Sequence, residues 1–214
     1  MSKIIPTDRF PVDEFEKLKD NLVIYRCALH TLETIIANIN DYYSSYDDDN
    51  PIEHIKYRIK SPESMAAKLK SKDLPLTAEA AVSNIFDIAG ARIICSYAKD
   101  IGRIADILKS ESDIHVISEK DYVAAPKESG YRSYHMIAEV NPGTVFGGRF
   151  CKVEIQIRTA AMDFWASLEH KARYKYGREI PEDLIKDLRI CADSINELDD
   201  RMYLIHELVD LINE

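Results

Sequence analysis

Val153-Glu154-Ile155-Gln156-Ile157-Arg158 alternates aliphatic and polar side chains without a break. Successive side chains of a β-strand point to opposite faces, so the three aliphatics enter a core while Glu154, Gln156 and Arg158 share the other face. On a covered strand such a polar row serves a site. On an exposed edge it carries no meaning, and periodicity alone leaves both readings open.

Working outward, residues 150–158 and 134–140 read as two strands joined in a hairpin around Asn141-Pro142-Gly143 and Gly147-Gly148. Residues 160–176 follow as a helix. Upstream, residues 89–97 and 114–118 are apolar, β-rich strands, with a helix over 101–109 between them. Ile55, Tyr57 and Ile59 alternate with Lys56, Arg58 and Lys60, which predicts a strand with one basic face. Ser61-Pro62-Glu63-Ser64 then reads as a helix start, capped by Ser61 with Pro62 in the first turn, and the helix runs to about residue 71.

Two long amphipathic helices bracket this centre. Phe15, Leu18, Leu22, Tyr25, Leu29, Leu32, Ile36, Ile39 and Tyr43 form one apolar stripe, stopped by Asp47-Asp48-Asp49-Asn50-Pro51. After Pro181, Leu184, Leu188, Cys191, Ile195, Leu198, Met202, Ile205, Val209 and Ile212 form the other. Both stripes either dock on the centre or leave surplus apolar surface for a helix-mediated homo-oligomer. The expected fold class is α/β in the α+β sense, a mixed β-sheet flanked by helices. It divides into an N-terminal helical region (1–50), a core (51–178) and a C-terminal helix (179–214), integrated as one domain.

The 214 residues suffice for one substantial core. Residues 1–10 lack the apolar centre of a signal peptide, and no stretch reads as a membrane span, so a cytoplasmic protein is expected. Cys27, Cys95, Cys151 and Cys191 sit singly in apolar patterns and read as small buried hydrophobes. The net charge of −9 disfavours binding of long nucleic acid over the whole surface. That charge is uneven: residues 179–214 hold eleven acidic against three basic residues, whereas residues 54–72 hold six basic residues against Glu63.

Four constellations carry chemistry. Arg58, Lys60, Ser64 and Lys68 combine a basic strand face with a helix start whose free N–H groups and dipole favour a phosphate. The plain alternative is a solvated strand edge. Asp87 interrupts an apolar run and needs a partner or a metal, Arg92 being the nearest cation in sequence. Glu154, Gln156 and Arg158 are the third. Lys127, Tyr131 and His135 surround Gly130 and suit base stacking and phosphate contact. Neither a Walker-type loop nor a Gly-x-Gly-x-x-Gly run is present, and His206-Glu207 lacks the second His of a zincin. Acidic groups on separate strands beside a phosphate-binding helix suit magnesium-assisted phosphoryl transfer.

Residues 54–64, Asp87-Ile88-Ala89-Gly90-Ala91-Arg92, Gly130-Tyr131-Arg132-Ser133-Tyr134-His135 and residues 153–170 closely resemble, in this order, the synthetase domain of the Rel/SpoT alarmone family. The short length and bracketing helices resemble the stand-alone small alarmone synthetases of the RelQ-like branch. Ser129 departs from the Asn that many long relatives carry before the Gly-Tyr pair. No His-Asp dipeptide occurs, so no hydrolase activity is expected.

The resemblance implies a nucleotidyltransferase-like fold and a (p)ppGpp synthetase that moves the pyrophosphate of ATP onto the ribose 3′-hydroxyl of GDP or GTP, with GMP as a further acceptor. Arg58 and Arg92 would sandwich the adenine while Lys60, Ser64 and Lys68 hold the ATP phosphates. Asp87 and Glu154 would bind Mg²⁺, with Glu154 taking the acceptor proton. Tyr131 would stack on guanine, Lys127 and His135 would lie near the acceptor 5′-phosphates, and Gln156 and Arg158 would shape the site. A homo-oligomer is implied, with a tetramer favoured, and single-stranded RNA is kept as a regulatory partner. Adenine nucleotides or tRNA ends as acceptors, a regulator without catalysis and a helical scaffold are the rival readings.

Overall fold

A computed structural model describes residues 9–46, 50–176 and 181–213. The N-terminal stripe forms α1, Val12–Tyr46, whose Leu18, Leu32 and Ile36 are fully buried, each contributing about 1.5–3 kcal/mol over exposure. Of the breaker run that follows, Asp47, Asp48 and Asp49 lie outside the described residues. Then come β1 (Ile52–Ile59), α2 (Pro62–Lys70), α3 (Ala78–Asn84), β2 (Ala89–Cys95), α4 (Ala98–Ser110), β3 (Ile114–Asp121), β4 (Tyr134–Val140), β5 (Cys151–Thr159), α5 (Ala160–Tyr176) and α6 (Glu182–Asn213).

The five strands form one mixed sheet in the order β1-β2-β5-β4-β3. β2 and β5 run parallel and the other pairs antiparallel, β4 and β5 as the expected hairpin. β5 is therefore central, which decides the open question of its polar row. Val153, Ile155 and Ile157 are fully buried in a core shared with α1 and α4, and Glu154, Gln156 and Arg158 face the other way. That second face is flanked by a smaller cluster of Tyr131, Trp165, Ala166 and Ala192, which joins α5 and α6 to the segment before β4.

Four expectations need correction. α3 was not anticipated; seven residues with a Thr77 cap are too short to show a stripe. Only the start of the expected α6 stripe docks, Leu188 and Ile195 packing beside Ala192, while Leu198, Met202, Ile205, Val209 and Ile212 stay exposed. Cys191 is exposed on the same helix, unlike the buried Cys95 and Cys151. Finally, α1 does contain a window as long and apolar as a membrane span, with mean hydropathy 1.2, but half of that window is buried, which marks a core helix.

Candidate active site

The site begins with a glycine. Across the sheet, Arg58 of β1 pairs with Gly90 of β2, which pairs with Glu154 of β5. A Cβ at position 90 would lie 3.5 Å from the Arg58 Nε, an ordinary contact, so the Arg58 side chain lies directly over this backbone. Its Nη2 comes to 3.9 Å from Glu154 Oε2. The hollow above Gly90, about 250 Å³, is lined by Lys56, Arg58, Arg92, Glu154 and Gln156 among others. A second hollow of about 390 Å³ shares Arg58 and Arg92 and adds Tyr131, Arg158 and the α5 side chains Ser167, His170 and Lys171.

Asp87 precedes β2 and faces two lysines rather than the expected Arg92. Lys60, just past β1, donates to its Oδ2 at 2.8 Å, and Lys68 of α2 donates to its Oδ1 at 2.7 Å. Burial alone would raise the carboxyl, but the hydrogen bonds and charges of these lysines outweigh it and bring the pKa down to about 2. Ser61 caps α2 by accepting from the Ser64 N–H at 3.2 Å, and Ser64 lies exposed in the first turn, its hydroxyl bonded to Ser61. The basic strand end and the helix start therefore converge as expected, with Asp87 as their counter-ion.

Glu154 lies where the two halves meet. Burial pushes its carboxyl up, yet the His135 ring, with Nδ1 at 3.6 Å, and Arg58 hold it below the usual value, against an upward push from the Asp87 charge. Gln156 Nε2 donates to Glu154 at 3.1 Å, and Gln156 Oε1 accepts from Arg158 at 2.7 Å and from Arg92 at 3.4 Å.

Arg158 is buried and also donates to the Tyr131 hydroxyl at 2.5 Å and to Ser133 at 3.1 Å. The Tyr131 hydroxyl bonds to His135 Nε2 at 2.8 Å. Lys127 Nζ lies 4.6 Å from the Tyr131 ring centre and the Arg158 guanidinium 5.2 Å from it. Tyr131 is 9% exposed, and these two cations cover its ring.

Lys127, Tyr131, His135, Gln156 and Arg158 therefore form one connected wall. It is held from outside by α6: a Cβ on Gly130, at φ +88°, would meet the Ala192 Cβ at 2.4 Å, and Arg189 donates to the Glu128 carbonyl. Asp163 of α5 was missed from sequence. An acid in a first helical turn is ordinary dipole chemistry and gives no functional signal, but here it receives Arg92 at 2.9 Å, Arg158 at 3.2 Å and Lys56 at 3.6 Å.

Among the described residues no three His, Cys, Asp or Glu side chains group as a metal cage. The carboxylates of Asp87 and Glu154, both held ionised by neighbouring cations, are the donor type magnesium takes, since it uses one or two protein oxygens and completes its shell with phosphate and water.

Residues 57–179 match the family model for a region found in RelA/SpoT proteins. The chain belongs to the RelA/SpoT family. The family segment contains every site residue expected from the sequence, from Arg58 to Arg158. Over 195 residues the chain is 42% identical to the GTP pyrophosphokinase YwaC of Bacillus subtilis, covering 91% of this chain and 93% of that one. It is 39% identical over 181 residues to the GTP pyrophosphokinase YjbM of the same organism, covering 85% and 84%. The crystal structure of the Bacillus subtilis small alarmone synthetase 1 bound to its product pppGpp superposes with a TM-score of 0.83 at 37% identity, covering 91% of this chain and 99% of that one. This family member thus shares fold and length with small alarmone synthetases.

Proposed function

We propose that the chain is a (p)ppGpp synthetase that transfers the β,γ-pyrophosphate of ATP to the ribose 3′-hydroxyl of GTP or GDP, with GMP as a further acceptor. The observation that carries this reading is the pair of adjacent strands β2 and β5, which set Glu154 beside Arg58 and a wall of Arg158, Tyr131 and His135, and carry Asp87, just ahead of β2, on the lysine-lined helix start. The relatives named GTP pyrophosphokinase, and the synthetase bound to pppGpp, support it.

In this reading the donor lies over Gly90, with Arg58 and Arg92 flanking the adenine and Lys60, Ser64 and Lys68 taking its phosphates. Two polyanions repel, and the cations from residues 54–72 offset that repulsion. Lys60 and Lys68 first leave Asp87, since each bonds it directly. Asp87 and Glu154 would hold Mg²⁺, which when bound neutralises charge developing on the transferred phosphates. Glu154, held ionised at neutral pH, accepts the proton of the 3′-hydroxyl as that oxygen attacks the β-phosphorus. The bond from the β-phosphorus to its α-bridging oxygen breaks, and AMP departs with that oxygen. Lys127, Tyr131, His135, Gln156 and Arg158 orient the acceptor, so the acceleration comes from positioning and charge neutralisation.

A cytoplasmic location suits these substrates. The exposed apolar side of α6, including Leu198, Met202, Ile205 and Val209, supports a homo-oligomer, and the tetramer rests on the resemblance. Regulation by single-stranded RNA rests on the resemblance alone. Incubation with ATP, Mg²⁺ and GMP, GDP or GTP separately, followed by nucleotide chromatography, tests the reading. A 3′-pyrophosphorylated guanine nucleotide is expected; modification of an adenine nucleotide or tRNA, with guanine nucleotides untouched, would overturn it.

A further inference from the structure

Asp163 sits in the first turn of α5, directly after the strand that carries Glu154, Gln156 and Arg158. Its side chain is 13% exposed, and its Oδ1 accepts from both Arg92 and Arg158 while Oδ2 faces Lys56. Cations from β1, β2 and β5 thus close on one acid. Charge neutralisation alone would explain an acid here, because three neighbouring cations repel one another. The hydrogen bonds go further. Arg92 and Arg158 also share Gln156 Oε1, so each guanidinium is held at two points by the same pair of side chains. A guanidinium recognises a base or a phosphate through its plane, and two fixed points set that plane.

We infer that Asp163 is a positioning residue that locks Arg92 and Arg158 into one unit, so that donor and acceptor nucleotides are bound by a shared frame rather than by two independent pockets. The inference rests on the nucleotide reading above, with Arg92 on the donor and Arg158 on the acceptor. Asp163 acts through the arginines and touches neither nucleotide. Loss of its charge has two opposed effects. The arginines lose orientation, which weakens binding, while removal of a negative charge beside polyanions strengthens it. The second effect is screened over roughly 8 Å at physiological ionic strength and the first is held by direct contacts, so the net weakening grows with added salt.

The test is steady-state kinetics of the full chain with Asp163→Asn, varying ATP and GTP separately at low and high salt. Both KM values are expected to rise about tenfold, as for loss of an oriented charge-assisted hydrogen bond, with kcat changing less and with a larger rise at high salt. Asp163→Glu, which keeps the charge, is expected to recover part of both, and it stands in if the Asn variant fails to fold. Asp163→Asn added to Arg92→Ala should not raise the ATP KM further, because the acid works through that arginine.

Full additivity on Arg92→Ala, or a fall in both KM values, would overturn the positioning role. If Arg92→Ala and Arg158→Ala raise the ATP and GTP KM values respectively while Asp163→Asn moves neither, this inference alone fails. If Arg92→Ala leaves the ATP KM unchanged, the nucleotide reading beneath it fails instead.

Discussion

Replacing Asp87 by Asn separates the counter-ion role seen in the structure from the proposed role in holding Mg²⁺. The carboxylate is the shared counter-ion of Lys60 and Lys68, at 2.8 and 2.7 Å. Its pKa falls from 3.8 unfolded to about 2 folded, which converts at 1.36 kcal/mol per unit and, discounted for a half-buried, partly screened site, amounts to about 1–2 kcal/mol. The folded pKa is depressed, so this stability is fully present above pH 3.8 and is lost as pH falls through about 2. Asp87→Asn should therefore lower the Tm by about 2–8 °C at pH 7, with the gap to wild type closing between about pH 4 and pH 2.

Turnover with Mg²⁺ should fall roughly a hundredfold or more. Affinity for metal-free ATP should instead rise by about tenfold, because the lysines no longer leave a competing anion to reach the phosphates. Isothermal titration in EDTA beside thermal melts over pH measures both. Weaker ATP binding in the variant, or a Tm gap independent of pH, would refute the counter-ion account.

Tyr131→Ala should raise the acceptor KM by about tenfold, within the 1–3 kcal/mol of base stacking, and leave the ATP KM unchanged; the reverse pattern in initial-rate kinetics would move Tyr131 to the donor pocket. Gly130→Ala meets both the positive φ and the Ala192 contact, so it should destabilise α6 docking by about 1–3 kcal/mol, read as faster amide exchange over residues 188–195. Adding Ala192→Gly should relieve the collision and leave the backbone strain.

The sheet was legible because β5 and β4 alternate with a period of two, while β2 reads as a short, continuously apolar strand. The convergence of Lys60, Ser61, Ser64 and Lys68 was legible because a cap and a helix start have local signatures. The partner of Asp87 was not. Sequence proximity favoured Arg92, but the strand carries Arg92 over to Gln156 and Asp163 and leaves Asp87 to lysines from β1's end and α2. Asp163 gave no signal, since only the fold brings cations from three strands to it. The α6 stripe was legible only in part: Leu188 and Ile195 dock as its periodicity suggests, but where docking stops is chosen by Gly130, Trp165 and Thr159, which bonds Asp199.

The most direct measurement is phosphorus NMR of a reaction containing the chain, ATP, Mg²⁺ and GTP, run beside its Glu154→Gln variant. AMP and a guanine nucleotide bearing a 3′-pyrophosphate should accumulate one for one, and the variant should slow both by roughly a hundredfold or more. Release of ADP and phosphate without a 3′-product, or an unaltered rate in Glu154→Gln, would contradict the account.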